Sequence, residues 1–293
     1  MSALAVKPIP TTKLRNILFA TDFSEASLHA LPYVAGIAGK LGSSVYLCHI
    51  VEPNPLVFSA PEAAPRLYEG MRDQAITKLE ALAHSPELKD LDPKTVVGEG
   101  AIGDALPNLI VEKKIDLIVM GTHGRTGMRR LLLGSAVEAV CRVATCPVLT
   151  VGPSLASRPA TRFSRILFPT DLSDDSKRIL PYLRQMGEEY QSEITVLHVM
   201  PEELVPNPDA AKLAEPIRNT LIQTFEPELS GSKVEFLIGF GETVETVLRT
   251  ARAKKVDLIA TGIHNAFLPG VQLRSSTVYR IMAGAHCPVL TYR

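Results

Sequence analysis

Between Met120 and Ser135 the chain reads Met-Gly-Thr-His-Gly-Arg-Thr-Gly-Met-Arg-Arg-Leu-Leu-Leu-Gly-Ser. Reduced to spacing, this is Gly121, two residues, Gly124, nine residues, then Gly134-Ser135. Glycines so placed are expected to take positive φ and to let a ligand reach bare backbone. Gly134-Ser135 falls where a helix begins, offering unpaired N–H groups, a positive dipole end and a hydroxyl. Arg125, Arg129 and Arg130 add positive charge to the same loop. That combination suits a polyanion such as a nucleotide phosphate chain. A strand-to-helix turn needs glycine in any case, but three placed glycines, a helix-start serine and three arginines favour a phosphate site over a bare turn. It is not a P-loop, because no Lys-Ser or Lys-Thr follows a Gly-x-x-x-x-Gly.

The elements that must hold this loop are readable on either side. Asp116-Leu117-Ile118-Val119 is an apolar, β-branched run that predicts a buried strand, and Ala136 to Val140 predicts a helix. Upstream, a strand near 16–21 ends on Asp22, and a helix is expected from Ser24, a good N-cap, to Leu41, with Pro32 kinking it or loosening its first turns. A strand from Ser44 to His49 follows, then a long helix from about 61 to 83, a third strand at 96–98 and a helix from 103 to 112. Pro147 to Val151 closes the unit. Near-continuous apolar strands separated by helices imply a parallel sheet covered on both faces and doubly wound. In such sheets ligands sit beyond the C-terminal strand ends where strand order reverses. Asp22, the end of the His49-Ile50 strand and the Gly121 loop converge there if strands one and four are neighbours. Asp22 then serves a ribose, a base edge or a metal. The other reading is a cap for the following helix, a task for which Ser24 is already available.

The unit occurs twice. Asn16-Ile-Leu-Phe-Ala-Thr-Asp22 returns as Arg165-Ile-Leu-Phe-Pro-Thr-Asp171, and Leu31-Pro-Tyr33 and His49 return in the same register as Leu180-Pro-Tyr182 and His198. Farther on the register shortens by eight residues, so that Gly121 answers Gly262 and Cys146-Pro147 answers Cys287-Pro288. Fixed registers over this length mean duplication. The copies are not equivalent. Gly124 becomes Asn265, Gly134 becomes Ser275, and Arg125, Arg129 and Arg130 become Ala266, Gly270 and Val271, while Arg274 is new.

At 293 residues the chain is long enough for two domains, each with its own core. Lys and Arg together number 31, as do Asp and Glu, so no overall field draws the protein to nucleic acid or an anionic membrane. No apolar run approaches the length of a membrane span. Met1 to Lys13 reads as a loose tail without the apolar core of a secretory signal, which points to a cytoplasmic protein. Cys48, Cys141, Cys146 and Cys287 have no metal-site spacing and read as buried thiols. His49 and His198 end apolar strands and read as packed, hydrogen-bonded residues, and no Ser–His–Asp or Cys–His arrangement follows from the spacing of these or of the loop residues His123 and His264.

The Thr21-Asp-Phe-Ser24 turn, the strand ending in His49, Asp116-Leu-Ile-Val-Met-Gly121 and the Gly-x2-Gly-x9-Gly-Ser signature resemble the universal stress protein family. The resemblance covers almost the whole chain as two tandem α/β domains, at 14–152 and 163–293, with a tail at 1–13 and a linker at 153–162. It implies two doubly wound, five-stranded parallel sheets of Rossmann-like, adenine-nucleotide-binding type. The family contains ATP-binding and non-binding members. By resemblance, adenosine would lie near Asp22 and the backbone of Ile50. The phosphates would lie on Gly121, Gly124, Arg125, Gly134 and Ser135, with Met120 and Ala136 lining the site. Mg²⁺ is expected as the counter-ion of ATP, held mostly by phosphates and water. The two copies are expected to form an intramolecular pseudo-dimer through their last strands, and a homodimer of whole chains would be unsurprising. The reading is therefore a stress-response protein that binds ATP in its first domain as a regulatory ligand and signals to a protein partner that the sequence does not name. Its second domain is degenerate and mainly structural. The alternatives are a slow ATPase or related nucleotide-handling enzyme, and a nucleotide-free interaction scaffold.

Overall fold

The computed structural model describes residues 13–52, 62, 64–122, 133–152, 155, 162–201, 210–263 and 276–293. The first repeat runs β1 (Asn16–Ala20), α1 (Glu25–Leu28), α2 (Leu31–Leu41), β2 (Ser44–Val51), α3 (Ala64–Ala83), β3 (Lys94–Glu99), α4 (Ile102–Glu112), β4 (Leu117–Gly121), α5 (Ser135–Val143) and β5 (Val148–Val151). The second repeats the order as β6 (Arg165–Pro169), α6 (Asp174–Lys177), α7 (Leu180–Tyr190), β7 (Glu193–Met200), α8 (Ala210–Phe225), β8 (Lys233–Phe240), α9 (Thr243–Ala253), β9 (Leu258–Gly262), α10 (Thr277–Gly284) and β10 (Val289–Tyr292). Half of the eight residues lost from the second copy come out of one helix, since α3 has 20 residues and α8 has 16.

The helix expected over Ser24 to Leu41 is two helices. Pro32 cannot donate to the ladder, so it sits in the first turn of α2, where its missing N–H costs nothing, and the chain breaks before it. Gly42, at φ 66°, closes α2 in the left-handed region.

The ten strands form one sheet in the order β3-β2-β1-β4-β5-β10-β9-β6-β7-β8. Every pairing is parallel except the central one, β5 against β10, which is antiparallel and joins the last strands of the two repeats. At that seam Thr150 Oγ1 donates to the Val289 carbonyl and Thr291 Oγ1 donates to the Val148 carbonyl, a reciprocal pair of buried bonds. Strand alternation then builds two cores. Ile17 and Phe19 point to one face with Val34, Ile37 and Leu79. Leu18 points to the other with Leu106, Ile110 and Val140. Each core continues across the seam into the second repeat. Among the described residues no helix is long and apolar enough to cross a membrane.

The carboxylate before each fourth strand has a role that its sequence gives no hint of. Asp116 Oδ2 accepts from the backbone N–H groups of Arg15 and Asn16 at 2.9 and 3.0 Å, and Asp257 Oδ2 accepts from those of Ser164 and Arg165 at 3.1 and 3.0 Å. Each ties the entry of its repeat's first strand to the entry of its fourth. Asp116→Ala leaves two backbone donors without this acceptor and is expected to cost about 2 kcal/mol, read as a lower urea midpoint with an unchanged slope.

Candidate functional site

Strand order in the first repeat reverses between β1 and β4, and the two are hydrogen-bonded neighbours with Ala20 opposite Met120. The C-terminal crest of the sheet therefore brings together the residue after β1, the end of β2 and the end of β4, as a doubly wound sheet requires of a ligand crevice.

Thr21 is the hub of that crest. Its N–H donates to the Cys48 carbonyl, its carbonyl accepts from His49 Nδ1 at 2.8 Å, and its hydroxyl pairs with Ser27 Oγ and accepts from the Phe23 N–H. A carbonyl can only accept, so Nδ1 of His49 carries its proton there. His49 is thus the packed, hydrogen-bonded strand end expected of it. Phe23 is held at φ 63°, a left-handed conformation that a bulky residue rarely adopts. Asp22 Oδ1 accepts from both the N–H and the hydroxyl of Ser24, at 3.0 and 2.6 Å, and Ser24 in turn caps α1 through the Ser27 N–H. Asp22 therefore does not cap the helix itself; it orients the residue that does. The second repeat copies the arrangement, with Thr170, Asp171, Leu172 at φ 67°, Ser173, Ser176 and His198 in the same bonds.

At Gly121 the physical reason differs from the expected one. Neither Gly121 nor Gly134 has positive φ; Gly134 is extended at φ −64° and ψ 151°. A Cβ on Gly121 would lie 2.7 Å from the Ala26 carbonyl oxygen and 2.8 Å from Ser27 Cα. The glycine lets β4 end against the backbone of α1, and Gly262 meets Asp175 and Ser176 in the same way. Close approach is indeed what the glycine provides, but the approaching group is the protein's own helix.

Beyond Gly121 the chain leaves at Thr122 and returns at Gly134, whose N–H donates to the Thr122 carbonyl at 3.0 Å. That bond places the start of α5 directly over the end of β4. Its N-cap is Gly134, which has no side chain to turn back onto the helix, and Ser135 stands exposed at the first helical position. Ile50 and Ala136 are half-buried near the crest, whereas Met120 lies beneath it in the second core, 5% exposed. Gly124 and Arg125, with His123, Arg129 and Arg130, lie outside the described residues, as do His264 to Ser275 of the second copy.

The second repeat treats its helix start differently. Ser276 caps α10 with its own hydroxyl, accepting from the Tyr279 N–H. A cavity of about 230 Å³ remains open at the second crest, lined by Thr170, Asp171, His198, Thr243 and Thr277 among others, with no lysine or arginine among the described lining residues. Three features of the first site escaped sequence reasoning. Phe23 stacks obliquely on His49, ring centres 4.7 Å apart, and the Lys78 ammonium of α3 lies 5.4 Å from the Phe23 ring centre. Thr21 organises the crest. Tyr279 reaches it from the other repeat.

The cysteines carry no chemistry at this site. All four are buried and none is in a disulfide. Burial pushes the thiols of Cys48, Cys141 and Cys146 up to about 12, so they stay protonated near neutral pH.

Comparison with known proteins agrees with this architecture. A sequence model of the universal stress protein family matches residues 13–152 and matches again over 162–293. The chain belongs to the universal stress protein family. It carries the family domain twice in tandem. Universal stress protein MJ0531 of Methanocaldococcus jannaschii is 34% identical over 138 residues, covering 47% of this chain and 81% of that protein. Universal stress protein Slr1230 of Synechocystis is 22% identical over 302 residues, 96% of this chain and 100% of that one. Among solved structures, a universal stress protein from Archaeoglobus fulgidus superposes with a TM-score of 0.74 at 19% identity, covering 96% of this chain and 99% of its own. The first two relatives share sequence with one repeat or with both, and the third shares the fold.

Proposed function

We propose that this universal stress protein binds ATP in its first repeat and uses it as a regulatory ligand. The observation that carries the reading is the start of α5. Among the described residues its first N–H groups have no side-chain cap, and the Gly134–Thr122 bond sets them over the crest where strand order reverses. A helix start of this kind takes an anion through backbone donors and dipole together, and the adjoining sequence holds Gly124, Arg125, Arg129 and Arg130. Triphosphate oxygens would be received by Ser135 and that loop, with Gly134, whose own N–H is held by the Thr122 carbonyl, leaving the approach to them clear of any side chain. The adenosine would extend over Gly121 toward Asp22 and the backbone at Ile50, with Ala136 beside it and Met120 as the floor. Mg²⁺ would travel with the phosphates.

Two contrasts support an asymmetric role for the repeats. Ser276 occupies the α10 start with its own hydroxyl, and the second loop lacks the three arginines. Binding rather than turnover fits the first crest, because Asp22 Oδ1 and His49 Nδ1 are engaged in holding the turn. Titration of the whole chain with ATP and Mg²⁺ tests the reading. One site per chain, with no steady release of ADP, is expected; no heat and no retained nucleotide would refute it.

A further inference from the structure

Tyr279 belongs to α10 of the second repeat, yet its hydroxyl donates to the carbonyl of Leu133 in the first at 3.1 Å, across 146 positions of sequence. Leu133 is the residue immediately before the Gly134-Ser135 start of α5. Tyr279 is 3% exposed and Leu133 is 2% exposed, so the bond is dry. The tyrosine is also rigidly held. Its own N–H is fixed by the Ser276 cap, and its ring packs into the core that both repeats share.

We propose that Tyr279 is a positioning residue for the first repeat's nucleotide site, supplied by the second repeat. The inference rests on the reading of that site as an ATP site. The return of the phosphate loop is fixed at two adjacent points, by Gly134 N–H on the Thr122 carbonyl from within the repeat and by Tyr279 on the Leu133 carbonyl from outside it. Together they set the direction in which the first N–H groups of α5 point. A donor group aimed in advance spares the ligand the cost of ordering it.

The two helices differ in chemistry at this position. In the register of the two copies, the position answering Tyr279 is Glu138 of α5, which is paired with Arg142 at 3.3 Å. An ionised carboxylate has no proton to donate to a carbonyl, whereas a phenol does. The repeat whose helix start is self-capped thus holds the loop of the repeat whose helix start is open. This gives the second repeat a task although its own loop has lost the arginines. It also predicts linkage, since Val278 and Ile281 of the same helix line the second cavity and anything seated there bears on the helix that carries Tyr279.

The test compares the whole chain with Tyr279→Phe and with Thr291→Val, measuring ATP affinity by titration and apo stability by urea unfolding. Thr291→Val removes a buried bond of the same seam, from Thr291 Oγ1 to the Val148 carbonyl, and the Thr291 contact with Cys141 farther along α5, while leaving the Leu133 carbonyl its donor. Tyr279→Phe keeps the ring and leaves the Leu133 carbonyl without its donor, so ATP affinity is expected to fall about tenfold, with faster amide exchange at residues 133–136. Thr291→Val is expected to lower stability and leave ATP affinity unchanged. If Tyr279→Phe binds ATP as the parent does, or if the two variants lose affinity equally, the positioning role is overturned and the bond is only part of the seam. If the parent chain binds no ATP, the site reading fails and this inference falls with it.

Discussion

Gly121→Ala is expected to destabilise the protein by about 3 kcal/mol, at the upper end of what an overpacked core position costs. The added methyl would meet the Ala26 carbonyl oxygen at 2.7 Å and Ser27 Cα at 2.8 Å, and both are backbone atoms that cannot swing aside. Relief requires α1 to move away from β4. That movement would disturb the Thr21–Ser27 hydroxyl pair and the Ser24 cap, which hold the crest at Asp22. Urea unfolding should show the midpoint fall, and ATP binding should weaken along with it. Gly262→Ala, whose methyl would meet the Asp175 carbonyl oxygen, should destabilise by a similar amount while sparing the first site. A Gly121→Ala protein as stable as its parent would mean that α1 is not pinned there, and the ligand-approach reading of this glycine would regain its place.

Ser135→Glu separates binding from stability by moving them in opposite directions. A carboxylate at the first position of α5 faces the positive end of the helix, which contributes about 0.3–1 kcal/mol of stability at an exposed site. The same carboxylate occupies the place proposed for a phosphate. Two like charges about 4 Å apart repel by about 4 kcal/mol at the effective dielectric of a protein surface, before salt screening reduces it. ATP affinity is therefore expected to fall by about a hundredfold while the thermal midpoint holds or rises slightly. Retention of affinity within about threefold of the parent, less than one decade in Kd, would place the phosphates elsewhere.

Much of the architecture was legible because duplication writes it twice. The repeated strand into Thr-Asp and the matching Cys-Pro pairs located the units, and the near-continuous apolar strands announced a sheet covered on both faces, whereas the division of Ile17, Leu18 and Phe19 between two cores came from the structure. The split of the first helix was half legible. Pro32 announced a disturbance, and only the structure shows that it begins a new helix rather than bending an old one. The reason for Gly121 was not legible, since a glycine admitting a phosphate and a glycine admitting a helix backbone look alike in sequence. Asp116 reads as the start of a strand, and its clamp on Arg15 and Asn16 depends on β1 and β4 being neighbours. Tyr279 was beyond reach for a further reason. Its contact with Leu133 exists because β5 and β10 pair antiparallel. No local pattern in either segment carries that information.

The most direct test of the account is the nucleotide content of the freshly purified chain. The protein would be isolated in nucleotide-free buffer and denatured, and the released small molecules identified and counted, with Gly124→Val prepared alongside. The account predicts about one ATP per chain, within the affinity range that survives purification, and its loss from the variant, whose branched side chain would crowd the phosphate loop. A chain that releases nothing and takes up no ATP with Mg²⁺ would contradict the account, and the loop between Thr122 and Gly134 would then join two elements without holding a ligand.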